Sequence, residues 1–532
     1  MLSILPVILL CLASFAILLI QRVRKGLGYV WLFSVLITII VLGIEIFLRW
    51  RLPLDFWVQN WMRMGAGVSL IGFRLDPAAW AYGLSLSAMC LAVILTAPAR
   101  LQEKESVGEW SACLALTGLG ILSALASTPL GLIYIWTGID IFELGVLLAT
   151  SRREEGVSRV VTAFFSRLAG TALVFTALLY SLSKGQVLIW NQASPEISLF
   201  LLIGCGFRLG ILPVHLPLQE TKANRRGLGT VLRSVSAVSS LAPISRLPEI
   251  AASPGWAQPL LWLTGAGVLY GAVMWMSENQ EISGRPYWSI SFAGMAVASS
   301  LQGVPSATVG WGVAMVLVGG MIFLYSSRVA WVSVVISLGL IGLSGLPFTP
   351  LANGWQGVAR QGFSPLVLVF LIAQVFILVG YLKHLRRSEN ALIGAEGWIR
   401  AVYPVGFFVL LAAHWLIGIL GWRGSFTVGI WWAGAADTLG FLVVAAMFGM
   451  LPGIRIGWKS EMGFALLLWK RIGGGLARAA SLEWLYSIVR WVYALLGKVV
   501  GGITILLEGE GGILWVLLLL SLFLSLTRGG NP

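Results

Sequence analysis

The run YVWLFSVLITIIVLGIEIFL, Tyr29 to Leu48, decides the fold class. An apolar helix crosses a hydrocarbon core of about 30 Å with roughly 18 to 20 residues, and this run is long enough to do so. Ser364 to Gly380 and its continuation form a second run of this kind. Both are continuous and Leu-rich, without the short alternating segments of a barrel. Each can therefore satisfy its own backbone hydrogen bonds as a helix. Around them lie 532 residues that are 58% hydrophobic and 11% charged, with a mean hydropathy of +0.89. That is too little polar surface to cover a soluble or secreted globule, so lipid must cover the rest.

Helices are predicted near 2–20, 29–48, 77–97, 110–127, 129–150, 158–183, 196–217, 227–247, 257–277, 286–303, 305–326, 328–346, 364–385, 401–421, 427–451 and 503–527, with 227–247 the least apolar. The first run lacks a basic lead and is followed by Arg22, Arg24 and Lys25, which reads as a retained helix instead of a cleaved signal. Basic residues cluster after the odd-numbered helices: Arg100 and Lys104; Arg152, Arg153 and Arg159; Lys222, Arg225 and Arg226; Lys383, Arg386 and Arg387. The positive-inside rule then places the N-terminus outside and the odd loops in the cytoplasm of a multi-pass plasma-membrane protein. The net charge of +14 is first of all a topology signal, and nothing separate supports a nucleic-acid partner.

Residues 453–500 interleave Arg455, Lys459, Lys470, Arg471, Arg478, Arg490 and Lys498 with Leu466, Trp469, Leu482, Leu485, Trp491 and Leu495. Such a basic amphipathic stretch suits an anchor on anionic lipid or a strut bracing neighbouring subunits. Glu508 and Glu510 fit a solvated start to the final helix.

Cys11, Cys90, Cys113 and Cys205 lie in separate apolar segments with no CxxC spacing. His215, His384 and His414 are too few and too scattered for paired haem ligation. No metal site and no cofactor is expected, so this chain is not expected to carry electrons itself.

Ionisable groups at membrane depth are costly and need partners or water, which makes each a candidate for function. Trp136, Asp140 and Glu143 fall at i, i+4 and i+7, on one helix face. Two carboxylates one turn apart repel when both are ionised, so one is expected to hold and exchange a proton near neutral pH. Pairing with Arg167 or Arg208 is the competing, purely structural reading. The run Gly206-Phe-Arg-Leu-Gly-Ile-Leu-Pro-Val-His-Leu-Pro-Leu-Gln-Glu220 places Pro213 within a predicted helix, which must kink or break there. Broken helices expose carbonyls and amides to a hydrated cavity. His215 either titrates in such a cavity or is a hydrogen-bonded core residue.

At these residues the chain resembles the antiporter-like proton-translocating subunits of respiratory complex I, a family shared with Mrp antiporters and membrane-bound hydrogenases. The stretch from Arg208 through Pro213-Val214-His215 to Glu220 is similar to that family's cation, Pro-Leu-His and acid run. Gly72-Phe-Arg-Leu-Asp76 resembles its strand-like lead into a helix. Trp136-Thr-Gly138 resembles its Trp-Glu-Gly helix, and Ala163-Phe164 with Arg167 the helix after that. Tyr287-Trp-Ser-Ile-Ser-Phe-Ala-Gly294 and Gly342-Leu-Ser-Gly-Leu-Pro347 resemble two later motifs, and all six occur in family order over about 70–360.

The resemblance implies an all-α polytopic bundle of about 14–16 transmembrane helices. Its parts would be N-terminal helices 1–109, two inverted five-helix repeats at 110–247 and 257–385, extra helices at 400–452, the basic segment 453–500 and a final helix 503–527. It also implies a relay of buried charges in which Asp140 or Glu143 accepts the proton, Arg167 and Arg208 tune it, His215 with Glu220 leads toward the cytoplasm, and Arg233 lies on the pathway. Expected partners are other membrane and peripheral subunits of a respiratory or hydrogenase-type complex, the lipid bilayer, and H⁺ or Na⁺.

Four departures stand out. The family glutamate falls at Thr137 and its lysine at Arg208. Arg233 is the sole cation before Arg246 where a central lysine belongs, and Phe348 to Gln356 lacks the second-half lysine. Arginine does not release its proton, so Arg208 can stabilise a carboxylate without passing a proton itself. Asp140, one turn beyond Thr137, is placed to stand in for the missing acid. The competing function is a degenerate structural subunit that moves no ions. A stand-alone transporter is disfavoured because no matching broken-helix site is visible in both halves.

Overall fold

A computed structural model describes residues 2–23, 27–58, 71–103, 107–150, 154–186, 188–216, 226–248, 254–326, 329–387, 396–422, 424–450, 491, 498 and 512–528. Seventeen α-helices occur among them: α1 Leu5–Val23, α2 Leu27–Leu48, α3 Pro77–Thr96, α4 Val107–Leu125, α5 Pro129–Thr150, α6 Glu154–Ser183, α7 Pro195–Leu209, α8 Arg226–Ile244, α9 Pro254–Ser277, α10 Glu281–Leu301, α11 Pro305–Leu324, α12 Ala330–Leu343, α13 Ala352–Val358, α14 Pro365–Leu385, α15 Gly397–Leu420, α16 Trp431–Met447 and α17 Gly512–Arg528. Ten spans are long and apolar enough to cross a membrane, and three shorter apolar helices accompany them. The protein is a multi-span membrane bundle.

Local chemistry sets the helix starts. Asp76, Ser194 and Ser364 each cap a helix that begins with proline, and the Asp76 carboxylate accepts from Ala79 N at 2.8 Å. The cap oxygen satisfies an otherwise orphaned amide, and proline at the first position has no amide to orphan. Ahead of α3, strands β1 (Leu54–Trp57) and β2 (Gly72–Leu75) pair antiparallel, so the expected lead into Asp76 is a true strand.

Residues Met1 to Gly473 form one unit, built in two shells. From Ala79 onward α3 is buried along its whole length, as is α11 from Ala307, and α8 and α10 are buried along nearly all of theirs. Leu32 and Leu36 of α2, Ile141 of α5, Phe165 and Leu168 of α6 and Val334 of α12 are exposed. Their helical spacing marks the faces that lipid covers. A helix wrapped by other helices need not be apolar, which explains why α8, the least apolar of the predicted set, is central. Neighbours along the chain pack together, as α9 with α10, α10 with α11 and α6 with α7, while α3 packs on α15 and α9 on α14.

The α9–α14 contact is stapled at one end. Lys383 Nζ donates to the carbonyls of Met276 at 2.8 Å, Ser277 at 3.5 Å and Glu278 at 2.7 Å. These are carbonyls that a helix C-terminus leaves without partners, and the cation also suits the negative end of the helix dipole. Trp275 Nε1, from the residue just before Met276, donates to Ile377 O at 3.1 Å.

Several boundaries differ from expectation, two of them informatively. The helix predicted over 196–217 stops at Leu209, because Gly210 takes φ +77° and its amide bonds back to Gly206 and Phe207. The break therefore precedes Pro213, at a left-handed glycine cap that proline periodicity does not reveal. The helix predicted over 328–346 ends at Leu343, and the seven-residue α13 that follows was not expected. It is too short to carry a period. The second unit, Gly474 to Pro532, contributes α17 among the described residues. Most of the basic stretch 453–500, together with Glu508, Glu510, Arg152, Arg153, Lys222 and Arg225, lies outside the described residues.

Candidate functional site

The inward face of α5 carries Trp136, Asp140 and Glu143, all buried, while Thr137 points outward and bonds its own helix at Ile133 O. Thr137 and Asp140 thus do not share a face, a correction to the one-turn substitution expected from spacing. They are about 60° apart around the helix, enough to put one inside and one outside.

Asp140 lies between two arginines. Arg208, at the end of α7, donates Nη1 to Asp140 Oδ2 at 2.7 Å and Nη2 to Asp140 Oδ1 at 2.9 Å. The same Nη1 reaches Thr171 Oγ1 at 2.9 Å and Arg167 O at 3.2 Å. Arg167 of α6 approaches Asp140 Oδ1 at 3.3 Å and donates to Glu143 Oε2. The Arg208 guanidinium also lies 4.2 Å from the Trp136 ring centroid, and Trp136 Nε1 donates to Ser239 O of α8 at 3.2 Å. Two carboxylates thus meet two guanidiniums in a site closed to solvent. Such a cluster holds its charge only because each ion faces an opposite one. Glu143 Oε1, Arg167 Nε and Arg208 Nε have no partner among the described residues, so the network is not fully satisfied.

Two glycines make the approach possible. A Cβ at Gly170 would lie 2.6 Å from Arg208 Cγ and 2.7 Å from Gly204 O, and one at Gly204 would meet Gly170 O at 3.0 Å. Small residues at the α6–α7 crossing let the backbones touch and leave the Arg208 stem a channel.

Beyond Arg208 the polar line continues. A cavity of about 30 Å³ is lined by Arg208, Arg233, Ser236 and Ser289, and a second of about 10 Å³ by Arg233, Ser234, Thr230 and Arg285. A water needs about 10 to 15 Å³ of such space and polar partners, so the larger cavity can hold water. Arg233 of α8 lines both. Arg285 Nη1 then donates to Thr230 Oγ1 at 2.9 Å, and Thr230 to Arg226 O at 2.5 Å. Arg226 Nη1 pairs with Glu281 Oε1 at 2.5 Å, and Arg387 Nη1 with Glu281 Oε2 at 3.2 Å.

Of the seven residues expected from sequence, Asp140, Glu143, Arg167 and Arg208 come together, and Arg233 shares a cavity with Arg208. His215 instead bonds Pro213 O through Nδ1 at 2.8 Å and packs 4.8 Å from the Phe207 ring, with Nε2 buried and without a partner among the described residues. Glu220 lies outside the described residues. Arg285, Glu281 and the buried Glu45 were missed. Their signal was available, since an ionisable residue within an apolar helix is a candidate by default. Arg100, Arg226, Lys383 and Arg387, read from sequence as loop charges setting topology, also have structural partners. Arg100 is buried and donates to Thr96 Oγ1 at 3.0 Å, and the other three bond α9, α10 or α11.

No family model matches the sequence. NADH-quinone oxidoreductase subunit N of Desulforudis audaxviator (strain MP104C) is 23% identical over 399 residues, covering 70% of this chain and 76% of that protein. Among solved structures, a chain of the Mrp complex from Dietzia sp. DQ12-45-1b superimposes with a TM-score of 0.67 at 15% identity, over 94% of this chain and 63% of that one. A chain of the membrane-bound sulfane sulfur reductase, an archaeal respiratory membrane complex, gives 0.66 at 14% identity over 98% and 99%. Sequence similarity to the complex I subunit, and a fold shared with chains of both assemblies, support the reading of a divergent antiporter-like membrane subunit.

Proposed function

We propose that the chain is an ion-translocating subunit of a multi-subunit redox complex in a plasma membrane, with its N-terminus outside, and that it moves protons along the buried charged line. The observation that carries this reading is the succession of buried charges from Glu143 through Arg167, Asp140 and Arg208, past two small cavities that Arg233 lines, to Arg285, Arg226 and Glu281.

Its chemistry follows from the residue types. Arginine keeps its proton, so Asp140, Glu143 and Glu281 are the groups able to accept and release one, and water must bridge the arginines. A proton arriving on Glu143 neutralises it and leaves Arg167 to Asp140 alone. The excess positive charge then weakens the hold of Asp140 on Arg208 and favours a shift of that guanidinium toward the cavity it shares with Arg233. Fixed cations thus transmit charge by displacement while carboxyls and water carry protons. Electrons would travel in partner subunits.

The balance of two acids against two arginines also suits a scaffold that moves no ions. Vesicles bearing the intact complex separate the readings. With Asp140→Asn and Glu143→Gln combined and assembly preserved, proton uptake should collapse. Uptake equal to wild type would leave only the structural role.

A further inference from the structure

Buried polar atoms from four segments converge on the end of α12. Gly345 takes φ +62° there, and a Cβ on it would lie 2.3 Å from Trp355 Nε1 of α13. On the other side Gly434 of α16 abuts the same turn, its Cβ position 2.1 Å from Gly345 O. Gln374 of α14 donates Nε2 to Leu343 O at 3.1 Å, and His414 Nδ1 of α15 lies 2.8 Å from the Cβ position of Gly342. One turn beyond Gly434, Asp437 is fully buried. Helical periodicity sets it between Gly434, which faces Gly345, and Gly440, whose Cβ would meet Val375 of α14 at 2.8 Å.

These groups are incompletely satisfied. Both oxygens of Asp437, Gln374 Oε1, His414 Nδ1 and Trp355 Nε1 are buried and without hydrogen-bond partners among the described residues. An ionised carboxylate held so, with no donor and no cation, is among the costliest groups a protein interior can contain. Burial without a partner therefore favours the neutral, protonated form of Asp437. The surrounding set is also mixed in character, with Trp355 a donor and Gln374 Oε1 an acceptor, so water entering the turn would find partners of both kinds.

We propose that Asp437 is a reversible proton-binding site at the broken end of α12, separate from the arginine-rich line. It shares no residue with that line and stands whether or not the line conducts. The step is a single transfer in which the Asp437 O–H bond breaks, the carboxylate keeps the electron pair, and the proton leaves through water at the Gly342–Gly345 turn. Among the described residues facing this turn, His414 is the other titratable group. Asn353, Trp355 and Gln374 on α13 and α14 are neutral, α12 offers none, and Lys383 and His384 lie at the far end of α14 bonded to α9.

Infrared difference spectra of the intact complex across pH steps test this. A protonated-carboxyl stretch present at neutral pH should bleach reversibly as pH rises and should vanish in Asp437→Asn. A second readout needs no variant. An apolar carbodiimide should label Asp437 in the native complex, read by mass spectrometry, equally in sodium chloride and choline chloride. A band that survives Asp437→Asn, or persists unchanged into alkaline pH, overturns the proposal. Protection by sodium alone also overturns it, in favour of a metal-cation site.

Discussion

Arg208 of α7 grips Asp140 of α5 with both of its Nη groups, at 2.7 and 2.9 Å. A fork matched to a carboxylate restricts both side chains, and burial makes each ion the condition for the other.

Removing one partner should therefore cost more than removing both. Asp140→Asn strands Arg208 and is expected to destabilise the subunit by about 3–5 kcal/mol. Asp140→Asn with Arg208→Gln should recover part of that loss. Thermal unfolding of the detergent-purified complex across the four variants reads the coupling, and strict additivity would mean that the pair is not coupled.

Arg208→Lys keeps the charge but not the fork. A single ammonium cannot span both Asp140 oxygens and also reach Thr171, so a loss of about 1–3 kcal/mol is expected. Lysine, unlike arginine, can release a proton when buried. Proton uptake by vesicles of this variant should thus show a pH profile shifted from that of the wild type, and an unchanged profile would argue that position 208 lies off the route.

Gly170→Ala tests the channel around the Arg208 stem. The new methyl would meet Arg208 Cγ at 2.6 Å and the Gly204 carbonyl at 2.7 Å, and the backbone oxygen cannot step aside as a side chain can. The α6–α7 spacing must widen. Expected results are a destabilisation of about 1–3 kcal/mol and uptake reduced toward that of Arg208→Gln.

Asp76, outside the membrane spans, supplies a pH test. Burial opposes its ionisation, but Arg246 at 2.8 Å, the Ala79 amide and Arg74 together hold its carboxyl below the ordinary value. Because the folded value is depressed, the stabilisation is fully present above the unfolded value of about 3.9 and is lost as pH falls through the lower, folded one. Asp76→Asn should lower the melting temperature at neutral pH, and its difference from wild type should shrink in acid. A constant difference would show that the charge contributes nothing.

Much of this was legible in the sequence because lipid imposes a simple rule. Tyr29–Leu48 could only be a span, and Asp140 with Glu143 could only be buried with partners. What stayed hidden depended on neighbours. Gly210 ends α7 through a backbone conformation that no side-chain period announces. Arg226 and Arg387 looked like loop charges until α10 brought Glu281 between them. Asp437, an ionisable residue inside the predicted helix 427–451, carried a legible signal that was passed over, but the partners around it come from α12 to α15 and were hidden.

Lys383, clasping three carbonyls at the end of α9, has a mechanical consequence. With Trp275 of α9 also tied to Ile377 of α14, these two helices are riveted at successive levels and must travel as one body. Any rearrangement that passes from the arginine-lined interior to the α12 turn has to flex around that beam, and the discontinuities at Gly210 and Gly345 are the joints the fold provides for it.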